Sequence, residues 1–268
     1  MMKKKELCTV ESQEQLSEGI FSLWIKTPSI AGEAQPGQFV SLYCKDGSRL
    51  LPRPISLCEI DRKGQRLHMV YRVAGKGTAE FSALKAGDTI QVMGPLGNGF
   101  PLEKAAGKRV FLMGGGIGIP PMLETAKALT GNSDQENAPA AAKVTAVLGY
   151  RDARFLQEEY EKYCDVCIST EDGSYGTKGN VIDAIKENAL EADVIFACGP
   201  TPMLRGIKAY AQEKGIACWI SMEEKMACGI GACLACVCQS KEVDHHSHVH
   251  NKRVCKDGPV FEASEVEL

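Results

Sequence analysis

Arg109-Val-Phe-Leu-Met-Gly-Gly-Gly-Ile-Gly118-Ile-Pro-Pro-Met122 is where this 268-residue chain changes its grammar. An apolar run ends in glycines and opens into a helical pattern over 120–129, with prolines in the first turn, where a missing N–H is tolerated. The same alternation recurs downstream. Strand-like runs at 144–148, 166–169, 194–197 and 217–220 are separated by helical patterns at 155–163, 181–187 and 202–214. Strands alternating with helices predict a doubly wound parallel α/β sheet. Upstream, from about residue 6 to 102, the text differs. Short alternating runs at 20–25, 38–43, 67–72 and 89–93 are punctuated by Pro36-Gly37, Gly64, Gly87-Asp88 and Gly94-Pro95. That rhythm predicts a small antiparallel β-barrel. There is no internal repeat, and 132–142 reads as a surface loop.

Apolar residues make up 44% of the chain and charged residues 24%, ordinary for a soluble globular protein with a sizeable core. A net charge of −3 argues against general affinity for nucleic acid or an anionic membrane. The apolar runs are too short and too broken by glycine to span a bilayer. Lys3-Lys4-Lys5 is followed by polar residues such as Glu11, Ser12, Gln13 and Glu14, so no signal peptide is expected. A reducing cytoplasm then suits the twelve cysteines better than a disulfide framework. Cys8, Cys44, Cys58, Cys198 and Cys218 sit singly among apolar residues and are expected to pack as small hydrophobes. Cys164 and Cys167 fall on a strand pattern, where residues three apart point to opposite faces and share no metal.

The remaining cysteines carry chemistry. Cys228-Gly-Ile-Gly-Ala-Cys233-Leu-Ala-Cys236, with Cys255 beyond, has the Cys-x4-Cys-x2-Cys…Cys spacing of plant-type 2Fe-2S ferredoxins. Gly229 and Gly231 let the loop curl, so that backbone N–H groups can point at cluster sulfurs. Structural zinc sites usually pair their ligands as two Cys-x2-Cys steps, and the Cys-x4-Cys step departs from that. Cys238, two residues past Cys236, competes with Cys255 as the fourth ligand.

Two further regions look like nucleotide sites. Arg53-Pro54-Ile55-Ser56 and Val70-Tyr71-Arg72 precede Gly75-Lys-Gly77-Thr78, a glycine turn opening a helix whose free N–H groups suit a phosphate. Arg53 can add a forked, charge-assisted partner to the same pyrophosphate. Gly114, Gly115, Gly116 and Gly118 lie at a strand end, where backbone can approach a dinucleotide. Cys198-Gly199-Pro200-Thr-Pro-Met203 lies at the end of a later strand of the same sheet. In an open α/β sheet ligands bind at the carboxyl ends of strands, so both loops can meet over one cofactor. The glycine turn is not a Gly-x-Gly-x-x-Gly fingerprint, and no acidic residue sits convincingly about twenty positions on. Taken alone, it fits a packing turn equally well.

Barrel, Arg-x-x-Ser, Gly-Thr at a helix start, Gly-rich turn and Cys-Gly-Pro, in that order, resemble the ferredoxin–NADP+ reductase superfamily. Ser221-Met-Glu-Glu-Lys-Met-Ala-Cys228 through Cys236, then Arg253-Val-Cys255-Lys-Asp-Gly-Pro-Val-Phe261, is similar to the electron-transfer subunits of NAD-dependent (class B) dihydroorotate dehydrogenases. The resemblance covers nearly the whole chain. It implies a Greek-key β-barrel holding FAD over 1–102, an NAD-binding α/β domain over 103–219 and a 2Fe-2S subdomain over 220–268. It also implies a separate FMN-containing catalytic subunit as partner, in a 2+2 heterotetramer serving pyrimidine biosynthesis.

On matching positions, the resemblance implies that Arg53, Pro54, Ile55, Ser56, Val70, Tyr71, Arg72, Gly77 and Thr78 hold FAD, with Ser56 near the flavin N5. It likewise implies that Gly114, Gly115, Gly116, Gly118, Cys198, Gly199, Pro200 and Met203 hold NAD. Cys228, Cys233, Cys236 and Cys255 would ligate the iron. Electrons would pass from the partner's FMN through the cluster to FAD, and leave as hydride to NAD+. Ile55 stands where the superfamily usually has a flavin-stacking tyrosine, so packing on that ring face would be aliphatic. Cys198 has no histidine base near it in sequence and is expected to pack or position rather than attack. No acid–base pair for dihydroorotate is visible, as expected if that chemistry sits on another chain.

Two other readings stay open on the sequence. A diaphorase-type subunit of an NADPH-linked sulfhydrogenase or ferredoxin oxidoreductase shares both nucleotide domains. A zinc-stabilised scaffold module would keep the cysteines and lack flavin. Tyr150-Arg151-Asp152 gives mixed signals on NAD against NADP. The tract 244–250 holds four of the five histidines and reads as a solvated loop with incidental metal affinity.

Overall fold

The computed structural model describes residues 3–135, 138–151, 153–243 and 248–268. Its first sheet is built from β1 (Lys4–Ser17), β2 (Ile20–Lys26), β3 (Phe39–Tyr43), β4 (Arg53–Ser56), β5 (Glu59–Asp61), β6 (Arg66–Arg72) and β7 (Thr89–Leu96). Two short helices, α1 (Pro28–Ala31) and α2 (Lys76–Phe81), fill its connections. The spatial order is β4-β3-β7-β1-β2-β6-β5, with every pairing antiparallel. Alternate residues face one core: Leu23 and Ile25 of β2, Leu67, Met69 and Tyr71 of β6, Ile90 and Val92 of β7. That is the period of two expected of a half-buried strand. The sheet curls without closing its ladder, which leaves β4 and β5 as its edges.

The second sheet follows from β8 (Arg109–Gly115), α3 (Pro120–Leu129), β9 (Lys143–Tyr150), α4 (Gln157–Glu161), β10 (Asp165–Thr170) and β11 (Thr177–Lys178). It continues through α5 (Val181–Glu187), β12 (Val194–Cys198), α6 (Thr201–Lys214) and β13 (Ala217–Ser221). Beyond these lie β14 (Val237–Gln239), β15 (Asn251–Arg253) and β16 (Val260–Glu262). The order is β11-β10-β9-β8-β12-β13-β16, parallel except for β16, which pairs antiparallel with β13. Strand direction of growth reverses between β8 and β12, the switch point of a doubly wound sheet. Consecutive β8 residues serve opposite layers. Val110 and Leu112 pack with Met122, Leu123 and Ala126 of α3, whereas Phe111 and Met113 pack with Ile185 of α5 and Leu204 and Ile207 of α6. Burial on both faces explains the near-continuous apolar runs of these strands. Between β13 and β16 the chain makes an excursion that carries the cysteine loop and the β14–β15 ribbon.

The two sheets meet where α3 covers the barrel edge β5, one of the ways proteins blunt an open edge. The Ile60 N–H donates to Glu124 Oε2 at 2.9 Å, and the Glu124 N–H donates to the Cys58 carbonyl at 3.1 Å. Lys127 Nζ lies 2.9 Å from Glu59 Oε2 and 3.7 Å from Glu124 Oε2. Behind Glu59, His68 Nδ1 lies 3.0 Å from Glu59 Oε1, and His68 Nε2 lies 2.8 Å from Ser22 Oγ. Glu124 is wholly buried, and its other oxygen, Oε1, has no hydrogen-bond partner among the described residues.

Candidate functional site

A cleft of about 340 Å³ opens between the barrel and the second sheet. One wall carries Arg53, Pro54, Ile55 and Ser56 of β4, Val70, Tyr71 and Arg72 of β6, and Thr78. The facing wall carries Ile117, Ser221, Met222, Glu223, Glu224, Met226 and Pro259. Eight of the nine expected flavin residues therefore share one surface. Gly77 does not reach it: a Cβ there would lie 2.2 Å from Arg53 Nε, so this glycine makes room beneath the guanidinium. The Tyr71 hydroxyl donates to Gln13 Oε1 at 2.9 Å, inside the barrel, which leaves the main chain of Tyr71 to face the cleft. Thr78 Oγ1 accepts the Ala74 and Gly75 N–H groups at 2.9 and 3.2 Å, and so shapes the turn before α2. Ile55 sits on the cleft wall as an aliphatic surface.

The glycine turn and the Cys-Gly-Pro loop meet at the switch point. Cys198 and Gly114 are register partners, and a Cβ on Gly118 would lie 2.3 Å from the Cys198 carbonyl oxygen. Met203 closes over the same place, its Sδ 2.4 Å from a Cβ built on Gly115. Both loops stand at the carboxyl ends of β8 and β12, and Ile117 between them enters the cleft. Burial pushes the Cys198 thiol up to about 12, so it is no thiolate nucleophile.

The cysteine loop rests on the barrel, with the Gly229 Cβ position 3.0 Å from Ser41 Oγ. Gly229 and Gly231 take φ of +68° and +86°, the left-handed region that glycine enters freely. This curl aims N–H groups at sulfur. Those of Ile230 and Ala232 donate to Cys228 Sγ at 3.4 and 3.3 Å, that of Cys228 to Cys233 Sγ at 3.5 Å, and that of Cys255 to Cys236 Sγ at 3.4 Å. Burial opposes ionisation of Cys228, but these donors and the Cys233 thiol prevail and bring it down to about 6.

The thiols also pair with each other, Cys228 with Cys233 and Cys255 with Cys236. The first pair is half-buried to exposed and the second buried. Among the described residues, the set of three or more His, Cys, Asp or Glu donors lying mutually within 4.8 Å is Cys58, Glu59 and His68. The four loop cysteines thus do not converge on one point, as a single tetrahedral zinc requires. Two sulfur pairs with N–H donors suit a two-iron cluster. Cys238 turns away: its thiol donates to the Lys252 carbonyl at 3.5 Å across the β14–β15 ribbon. At Cys58, Glu59 and His68, Lys127 already supplies a positive charge.

The single cysteines behave as packing groups. Cys8, Cys58, Cys198 and Cys218 are buried, and burial raises every one of their thiols. Within the histidine tract, residues 244–247 lie outside the described residues, and His250 Nδ1 is 2.9 Å from the Lys241 carbonyl oxygen. Asp152 also lies outside them. The facing cleft wall, Ile117 with Ser221, Met222, Glu223, Glu224 and Met226, carries no signal in the sequence that marks it as part of a cleft. Residues from separate domains that meet across a cleft leave no periodic signal.

Comparison with known proteins agrees with this geometry. The family model for the iron-sulfur cluster binding domain of dihydroorotate dehydrogenase B matches residues 223–267. The dihydroorotate dehydrogenase B (NAD(+)) electron transfer subunit of Bacillus caldolyticus is 44% identical over 98% of this chain and 99% of its own length. That of Geobacillus sp. (strain WCH70) is 42% identical over 100% of both. A solved NADH-dependent reduced ferredoxin-NADP oxidoreductase superposes with a TM-score of 0.83 at 32% identity, covering 98% of this chain and 90% of that one. A ferredoxin NADP+ reductase from Neisseria gonorrhoeae, at 17% identity and a TM-score of 0.61 over 79% of this chain and 92% of its own, shares the fold alone. Full-length identity, the matched cluster segment and the two-layered architecture converge: the chain belongs to the family of dihydroorotate dehydrogenase B (NAD(+)) electron transfer subunits.

Proposed function

We propose that this chain is the electron-transfer subunit of an NAD-dependent dihydroorotate dehydrogenase, carrying electrons from a partner's FMN to NAD+ in pyrimidine biosynthesis. It would hold FAD on a barrel domain (1–102), NAD on an α/β domain (103–219) and a 2Fe-2S cluster on a C-terminal segment (220–268). The cytoplasm is its expected place and a 2+2 heterotetramer its expected assembly. No helix among the described residues is long and apolar enough to cross a membrane.

One observation carries the reading. The segment that forms the far wall of the cleft, Ser221 to Met226, runs directly into Cys228. The flavin cleft and the cluster loop are therefore neighbours along the chain and in space. When bound, the cluster moves electrons singly, and the flavin converts two of them into a hydride for NAD+. The chain's own residues bind, orient and shield. Arg53 offers a forked donor to the pyrophosphate, and Ser56 offers a hydroxyl at N5. Ile55 and Met226 present apolar surface to the ring. The Gly118–Cys198 contact fixes the two loops that would hold the nicotinamide end. N–H groups donated to Cys228, Cys233 and Cys236 hold negative charge at the sulfurs. Ile230, Leu234 and Val237 are 40%, 50% and 38% exposed around that loop, an apolar rim suited to a partner subunit.

Relatives named for dihydroorotate dehydrogenase B reach 44% identity, against 32% for the ferredoxin-NADP oxidoreductase, which favours this reading over the diaphorase type. The test is co-purification with a candidate FMN subunit, followed by flavin and iron analysis and an assay of dihydroorotate-dependent NAD+ reduction. A complex that forms, contains both cofactors and lacks that activity would sink the assignment. Preference for NADPH over NADH would move it to the diaphorase reading.

A further inference from the structure

The Glu124 clasp joins the two nucleotide layers at a point close to both. Two residues beyond Ser56, the Cys58 carbonyl accepts the Glu124 N–H, and the next strand's Ile60 N–H is held by the Glu124 carboxylate. Glu124 belongs to α3, which begins two residues after Gly118. Ile117, in the same turn, lines the cleft. A rigid helix thus connects the glycine turn to the strand that follows Ser56. We propose that Glu124 is a positioning residue, which sets the spacing between the nicotinamide turn and the flavin strand for hydride exchange. The inference rests on the reading of the cleft and the glycine turn as FAD and NAD sites.

The burial of Glu124 is otherwise hard to rationalise. A wholly buried carboxylate with one unpartnered oxygen is costly, and α3, buried everywhere but at Lys127, could meet the barrel edge with an apolar residue instead. The groups facing it come from every neighbouring element. They are Lys127 on α3, Glu59 and Arg62 at the ends of β5, Cys58 ahead of β5, and His68 of β6 behind Glu59, with Tyr163 after α4 beside Lys127. Burial pushes Glu124 up to about 7, against the pull of Lys127 and the Ile60 N–H. A raised value means that the docked junction favours the neutral acid. Ionisation strengthens the contacts to Lys127 and the Ile60 N–H, but the cost of burying the charge outweighs them. The junction is therefore firmest below the ordinary value of 4.5 and loses stability as pH rises through about 7, and hydride transfer slows on that side.

The experiment is anaerobic stopped-flow reduction of the flavin by NADH, in the intact complex with the catalytic subunit, for Glu124→Ala, Glu124→Gln and Lys127→Met. Glu124→Ala is expected to keep its FAD and cluster absorbance and its NADH affinity, while flavin reduction slows about tenfold or more, since a misplacement of about 1 Å can cost about a hundredfold. Glu124→Gln keeps an acceptor for the Ile60 N–H and should match the wild type near pH 6. It should then exceed the wild type near pH 8, having lost the alkaline limb. Lys127→Met leaves the carboxylate without its cation and should move the wild-type limb to higher pH. A wild-type rate in a flavin-replete Glu124→Ala complex overturns the proposal, as does a pH profile of Glu124→Gln identical to the wild type. Should Glu124→Ala not fold, the Gln and Lys127→Met profiles decide alone. A wild-type complex whose flavin NADH does not reduce overturns the cofactor reading instead.

Discussion

Gly118→Ala tests whether the contact between the glycine turn and the Cys-Gly-Pro loop is a structural joint of the proposed nucleotide site. The added Cβ would lie 2.3 Å from the Cys198 carbonyl oxygen, 2.4 Å from its carbon and 2.6 Å from the Gly199 nitrogen. All three are backbone atoms at the end of β12, so no side chain can swing aside. Ordinary contact demands a retreat of about 1 Å, and overpacking of this kind costs about 1–3 kcal/mol. For a chain of this size, about 2 kcal/mol lowers the melting midpoint by about 4–8 °C. A shift of about 1 Å at a reacting site also costs about a hundredfold in rate, so NADH-dependent flavin reduction should fall far more than stability does. Gly206→Ala is the control, because Gly206 is exposed on α6 and its Cβ would meet nothing within 4 Å. It should stabilise by about 0.5–1 kcal/mol and leave the reduction rate alone. Circular-dichroism melts and stopped-flow traces on the holo-complex read both quantities. A Gly118→Ala protein that melts with the wild type and is reduced at the wild-type rate refutes the joint.

Cys255→Ser should abolish iron and sulfide incorporation, whereas Cys238→Ser should retain both; iron lost from Cys238→Ser and kept by Cys255→Ser would reverse the choice of fourth ligand. Arg53→Ala should weaken FAD retention by about 10–100-fold through loss of a charge-assisted contact worth about 1.5–3 kcal/mol, read as flavin per protein after gel filtration. At Glu59 burial works toward a higher value, but His68 and Lys127 prevail and hold the carboxyl down to about 2. Its contribution is therefore present above the ordinary value of 4.5 and lost as pH falls through about 2. Glu59→Gln should cost about 3–5 kcal/mol at neutral pH and flatten the acid-unfolding curve below pH 4.5. An acid limb as steep as the wild type's would contradict this.

Much of the second sheet is legible because its strands are buried on both faces and its helices are properly bounded. The helical pattern over 120–129 is α3 residue for residue. β1 is harder to see. Its 14 residues carry Lys4, Lys5, Glu6, Glu11, Gln13 and Glu14, and Leu7 faces solvent while Cys8 and Val10 face the core, so apolar alternation fails. β14, β15 and β16 are three residues each, too short for any period to register. The choice between Cys255 and Cys238 turns on the pairing of Cys238 with Lys252, a long-range fact absent from local spacing. Glu124 is the least legible. A glutamate in a helical pattern reads as a solvated face, and the Ile60 N–H that makes its burial tolerable lies 64 residues away.

β16 bears on how the protein is made. A ribosome delivers β13 before the cysteine excursion and delivers β16 only after it, so the edge of the nucleotide sheet stands open during that interval. An open edge is a template for pairing with another chain. In a cell short of iron, the excursion between the two strands would lack the metal that draws its loops together, and closure of the edge would be delayed. Iron supply would then govern how much of this protein stays out of aggregates, and not only how much of it can carry electrons.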